Sequence, residues 1–206
     1  QMLFMFSWEL GIFRLMNILL NVCYLILQAM SSNLIPQVTQ VTFREAASED
    51  WETIVAIEEA NFSTEAAGAE TLQKWIEQGQ TNFLIAELNE KIAGYIVGSA
   101  VFSRHLTNEM IDNSSKQQRD SDFMTIQRLS IHPEFKGQGL GTLLLAACKE
   151  IAVARNQKGL QLVCSDELIS YYEMNAFINE GISERVDSHA ILYELVWDNP
   201  YFKEEQ

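Results

Sequence analysis

The stretch Leu129-Ser130-Ile131-His132-Pro133-Glu134-Phe135-Lys136-Gly137-Gln138-Gly139-Leu140-Gly141-Thr142-Leu143 decides the fold. Its first residues end a strand that begins at Phe123, and three glycines in five residues then lead into a helix over residues 142–156. Leu143, Leu144, Ala147, Ile151 and Ala154 fall on one face of that helix, which therefore packs on a core. Glycine takes backbone conformations that a Cβ blocks and lets the main chain approach a ligand closely. The orphan N–H groups at the head of the helix favour an anion. Lys136 adds a cation beside them, so Lys136, Gly137, Gln138, Gly139, Leu140, Gly141 and Thr142 read as a cradle for a diphosphate. A Walker loop needs Lys-Ser/Thr after its last glycine, and a dinucleotide turn needs G-x-G-x-x-G early in a βαβ unit. Neither is present, so ATP, GTP and NAD fit poorly.

Outward from this segment the chain alternates strands and helices. Val38 to Arg44 alternates as a strand, and Ser48 is expected to cap a helix whose first turn carries Glu49 and Asp50. A second helical pattern runs from Ala69 to Gln78 and stops at Gly79. Phe83–Leu88 and Lys91–Val97 form a hairpin around Asn89-Glu90. Ser103 to Asp120 is polar and aperiodic, which predicts a long mobile loop. Further strands are expected at Leu160–Cys164, near 177–183 and near 190–197, with a short helix from Glu167 to Met174. This order predicts an α/β (α+β) fold with helices packed on a mixed sheet, and no internal repeat is visible.

Composition narrows the partners. Lys+Arg 14 against Asp+Glu 28 leaves a net charge of -14 over 206 residues, which disfavours nucleic acid as a partner because phosphate affinity needs clustered cations. Cys23, Cys148 and Cys164 are odd in number and widely spaced, so neither a disulfide framework nor a zinc site is expected and no metal is assigned. Such cysteines suit a reducing, cytoplasmic setting. The charge is unevenly placed: residues 1–30 hold only Glu9 and Arg14. In that apolar stretch Ser7, Arg14, Asn21 and Gln28 repeat every seven residues, as one polar stripe on a helix. A secretory signal is disfavoured, since no basic n-region precedes it. A membrane association through residues 2–28 meets the cost of Arg14 in mid-span. The favoured reading is a docked appendage, or a segment foreign to the mature protein, with the functional domain over residues 31–206.

The run Leu129 to Leu145 resembles the acetyl-CoA-binding motif of the GCN5-related N-acetyltransferases, Q/R-x-x-G-x-G/A, with Lys136 at its first place. Tyr171-Tyr172-Glu173-Met174-Asn175-Ala176-Phe177 resembles the family's late Y-E-x-x-G-F element, with Ala176 where glycine is usual. Asn61 to Ala67 and Asn179 to Glu184 look most like bacterial arylalkylamine N-acetyltransferase-like members. The resemblance spans roughly Val38 to Trp197. It implies a mixed, mostly antiparallel sheet of about seven strands with four helices and a splayed central strand pair.

It also implies roles. Leu129, Ser130 and Ile131 would bind the acetyl carbonyl and pantetheine through the backbone, and the loop from Lys136 to Thr142 would bind the pyrophosphate. Acetyl-CoA would be the co-substrate and a small primary amine, arylalkylamine or polyamine-like, the acceptor. Tyr172 aligns with the tyrosine that gives a proton to the leaving thiolate; Tyr171 reads as structural. The animal enzymes carry two histidines where this chain has Thr125 and Gln127, so the base must lie elsewhere. Glu65 is the candidate base, though a solvated acid at a helix end explains it equally well. Asp122 is a poorer choice, and His132 reads as a strand-end or loop contact. A covalent route through Cys164 lacks an activating histidine. A protein N-terminus or lysine as acceptor, a non-catalytic CoA sensor, and a homodimer stay open.

Overall fold

The computed structural model describes residues 40–62, 67–77, 82–106, 121–184 and 191–204. The expected helix in residues 1–30, Glu65 and most of the loop from 103 to 120 lie outside the described residues. Seven strands form one sheet in the order β1-β2-β3-β4-β5-β7-β6, the mixed architecture expected. They are β1 (Val41–Glu45), β2 (Asn82–Leu88), β3 (Lys91–Val101), β4 (Phe123–Ile131), β5 (Gly159–Cys164), β6 (Ile178–Ile182) and β7 (Tyr193–Asp198). Among the described residues four helices accompany them: α1 (Trp51–Phe62), α2 (Ala69–Glu77), α3 (Leu140–Ala154) and α4 (Asp166–Met174).

Every neighbouring pair is antiparallel except β4 and β5. The β2–β3 hairpin turns at Asn89 and Glu90 with φ of 51° and 64°, the two left-handed residues that such a two-residue turn demands. Side chains alternate between faces along each strand, so the sheet has two cores. Leu84, Ala86, Ile96, Met124, Ile126, Leu160 and Leu162 pack with α3 on one face. Phe83, Ile85, Tyr95 and Val97 pack on the other with Ile54 and Ile57 of α1 and Leu72 of α2.

One expectation needs correction, and the first residues of the expected loop are tied down. Ser48 does not cap α1: residues Ser48–Asp50 make a 3-10 turn, and the Asp50 carboxylate accepts from the Ala47 N–H at 2.7 Å. Asp50 also takes both terminal nitrogens of Arg44, at 2.6 and 2.8 Å, which a serine hydroxyl has no charge to do. The start of the 103–120 segment is not loose. Arg104 is forked onto Glu180 and Asp198, and the Leu106 N–H donates to the buried Glu194 at 2.8 Å. No helix among the described residues is long and apolar enough to cross a membrane.

Candidate functional site

β4 follows β5 only through Phe123, Met124 and Thr125, paired with Gly159, Leu160 and Gln161. Beyond Thr125 the two strands part: β4 stays on β3 as far as Ile131, and β5 stays on β7 as far as Cys164. A wedge opens between them. The His132 N–H donates to the Ala93 carbonyl at 2.8 Å. Antiparallel bonding alternates residue by residue, so Ser130 and Arg128 also turn their peptide groups to β3. Leu129 and Ile131 turn theirs into the wedge. Gln127 is the extra residue of a bulge in β4, and its Oε1 accepts from Ser99 Oγ at 2.9 Å.

The glycine loop stands at the end of the same strand. Gly137 and Gly139 have φ of 77° and 78°, and a Cβ built on either meets nothing within 4 Å. These are left-handed positions facing open space, and Gly139 is the N-cap of α3. The loop meets the fit expected for an anionic diphosphate: main chain is laid bare at a helix head, with Lys136 beside it. Gly141 serves another purpose. It lies inside α3, and its missing Cβ would sit 2.5 Å from the Tyr171 hydroxyl, which also reaches the Thr142 side chain. Tyr171 is thus a strut between α4 and the loop. His132 accepts from the Glu134 N–H at 3.2 Å, a loop contact as expected.

Tyr172 belongs to the same apolar cluster as Leu129, Ile131 and Cys164. Its ring is held edge-on by Tyr171 at 5.1 Å and by Phe177 at 5.7 Å. The end of α4 explains why. The Phe177 N–H donates to Tyr172 O at 3.0 Å and the Ala176 N–H to Glu173 O at 2.9 Å, the paired bonds of a Schellman cap. Ala176 takes the left-handed place, with φ of 61°. Burial, then the neighbouring Tyr171 and Cys164, push the Tyr172 phenol above the ordinary tyrosine range, so it keeps its proton at neutral pH. Burial also lifts the Cys164 thiol to about 11 and that of Cys148 to about 12, which makes both poor nucleophiles. Asp122 lies at the opposite end of β4 from the wedge mouth, 3.0 Å from Lys158 Nζ.

A second group of residues went unread in the sequence. Glu58 of α1 is 0% exposed, yet it is a carboxylate. Arg128 Nε lies 3.1 Å from its Oε1, the Ala67 N–H donates to the same oxygen at 2.8 Å, and Tyr95 Oη donates to Oε2. The Ser130 hydroxyl donates in turn to Tyr95. Asn61 Nδ2 donates to Ser130 Oγ at 2.7 Å and to the Ile131 carbonyl at 2.8 Å, closing the chain at the wedge. The signal was there: Ile54, Ile57, Glu58 and Asn61 share one helical stripe, so two polar residues occupy core positions. Among the described residues no group of three or more His, Cys, Asp or Glu is placed to hold a metal.

Residues 42–177 match the model of the acetyltransferase (GNAT) family. The fold is similar to that of Ard1 from Thermoplasma volcanium, at 19% identity and TM-score 0.60 over 77% of this chain and 97% of that one. It is similar to the ribosomal-protein-S18-alanine N-acetyltransferase from Escherichia coli, at 14% identity and TM-score 0.58, covering 81% and 96%. It is also similar to a putative acetyltransferase, yncA, from Salmonella typhimurium, solved with its cofactor acetyl-CoA, at 16% identity and TM-score 0.57, covering 77% and 94%.

Proposed function

Because the chain belongs to the GNAT family of acetyltransferases and acetyl-CoA is its co-substrate, we propose that it moves the acetyl group to a small primary amine. The observation that carries this reading is the wedge between β4 and β5, with the glycine loop at its mouth on the α3 side. Acetyl-CoA supplies an activated acetyl group as a thioester. Gly137 to Thr142 would hold its diphosphate through main-chain N–H groups, and the Leu129 and Ile131 peptides would hold the arm and orient the carbonyl. With the α3 side so used, the acceptor enters from the α1 side.

Direct attack by the amine suits the site, since Cys164 and Cys148 hold their protons and, among the described residues, no histidine stands beside them. Tyr172 is the proton donor to the leaving sulfur, kept protonated by burial and fixed by the Schellman cap. Glu65 remains a proposed proton acceptor in the segment that follows α1. Ser99, Thr125 and Gln161 form a buried row of polar side chains across β3, β4 and β5, on the α1 side. That row supports an acceptor rich in hydrogen-bond donors, polyamine-like, over a bare arylalkylamine. A reducing, cytoplasmic setting fits two buried thiols.

The test is a panel of amines (spermidine, tyramine, tryptamine, and a peptide with a free N-terminus) incubated with acetyl-CoA while free thiol is followed. Small amines are expected to release thiol, polyamines most. Turnover of the peptide alone would move the acceptor to a protein N-terminus. No turnover alongside tight acetyl-CoA binding would leave a CoA sensor.

A further inference from the structure

The chain of hydrogen bonds behind the acetyl strand has a direction. Asn61 Nδ2 donates to Ser130, Ser130 donates to Tyr95, and Tyr95 donates to Glu58. Every hydrogen points toward one buried carboxylate. Arg128 of β4 and Tyr95 of β3 are the charged and titratable groups that face Glu58 among the described residues, and the Ala67 N–H faces it from the chain beyond α1. At the other end stands an acceptor atom without a donor. Asn61 Nδ2 must face the Ile131 carbonyl, which only accepts; this fixes the amide and leaves Asn61 Oδ1 enclosed and without a hydrogen-bond partner. The orphan belongs to the amide whose Nδ2 holds Ser130 Oγ and the Ile131 carbonyl at the wedge.

We propose that the acceptor ammonium docks on Asn61 Oδ1 and Ser130 Oγ, and that Ser130, Tyr95 and Glu58 form a wire that carries its proton into the interior. This rests on the amine-acetylation reading above and supplies the base that reading leaves to Glu65. The balance is simple. The ammonium N–H bond breaks and its proton goes to Ser130 Oγ. Ser130 passes its own proton to Tyr95 Oη, and Tyr95 passes its own to Glu58 Oε2. The nitrogen keeps the electron pair with which it attacks, and Glu58 ends as a neutral acid that later loses its proton to solvent. Arg128 places its guanidinium against the receiving carboxylate, Nε 3.1 Å from Oε1. The site therefore takes a cationic primary amine, and Ser130 is the hydroxyl that touches it.

Glu58→Gln and Tyr95→Phe each break the wire while keeping nearly the same shape. In both, the amine must lose its proton in water before it binds. At pH 7 kcat/KM for spermidine, or for the best amine of the panel, should fall about 1,000-fold. The deficit should shrink about tenfold per pH unit and vanish near pH 10, where free amine dominates. Affinity for acetyl-CoA, read by calorimetry, should stay within about twofold, since neither residue faces the wedge. A readout independent of turnover is proton NMR of the whole chain. The Tyr95 hydroxyl, wholly buried on a carboxylate, should give an exchange-protected resonance downfield of the amides that both variants lose. If either variant keeps the wild-type pH profile, or the wild type lacks that resonance, the wire is wrong. If acetyl-CoA binds, the resonance is present and no amine turns over, the wire stands as a structure and the amine reading fails.

Discussion

The two faces of the sheet do their work by different means. On the α3 face the cofactor would be held by main chain: two left-handed glycines at the head of a helix and two peptides turned into a wedge. On the α1 face the proposed acceptor would meet a side-chain network drawn from α1, β3 and β4: Asn61 and Ser130, backed by Tyr95, Glu58 and Arg128. A backbone cradle tolerates change at most positions, provided no Cβ fills it. A side-chain network built round one buried charge tolerates almost none.

Arg128→Met puts that difference to its hardest test. It leaves Glu58 buried without its cation, and breaking such a pair costs about 3 kcal/mol or more. The urea midpoint should fall accordingly, while Glu58→Gln combined with Arg128→Met should recover much of the loss. Equal stability of single and double variants would show that the pair is not coupled. Gly139→Trp attacks the other face. Its side chain would project into the open space before the loop and force a left-handed φ on a residue with a Cβ. Acetyl-CoA affinity should drop roughly 100-fold by calorimetry, with amine-side chemistry untouched in principle; unchanged affinity would place the cofactor elsewhere.

Tyr172→Phe separates chemistry from binding. It keeps both edge-on ring contacts and removes the proton, so kcat should fall by about 100-fold with acetyl-CoA affinity unchanged. Equal kcat would return Tyr172 to packing. The smallest effect is a gain. Ala176 pays for a left-handed conformation that glycine takes freely, so Ala176→Gly should stabilise the chain by about 1 kcal/mol and raise the melting point by a few degrees. A lower melting point would mean that the Schellman cap gains nothing from glycine there.

The same contrast explains what could be read from sequence. The α3 face was legible because its function is written in local spacing. Gly137, Gly139 and the apolar stripe of α3 stand within one short run, and the Tyr172 to Phe177 element is equally compact. Even there one reason was missed: the space at Gly141 also admits the Tyr171 hydroxyl, 2.5 Å from where a Cβ would sit. The α1 face was illegible because Glu58, Tyr95 and Ser130 lie 37 and 35 residues apart along the chain, and only the sheet brings them together. Glu58 and Asn61 did carry a local clue as polar residues in an apolar stripe. Ser48 drew the eye as a cap by residue type, but Arg44, four residues earlier, gave Asp50 the stronger role. The bulge at Gln127 had no sequence signal, since an extra residue in a strand keeps strand composition.

The central claim is that bare main chain at the head of α3 grips the cofactor's diphosphate. Crystals grown with coenzyme A test it most directly. Density for the diphosphate is expected within hydrogen-bonding reach of the N–H groups of residues 137–142, with the pantetheine arm running along Leu129 and Ile131 between β4 and β5. Coenzyme A bound anywhere else, with those N–H groups facing water, would contradict it.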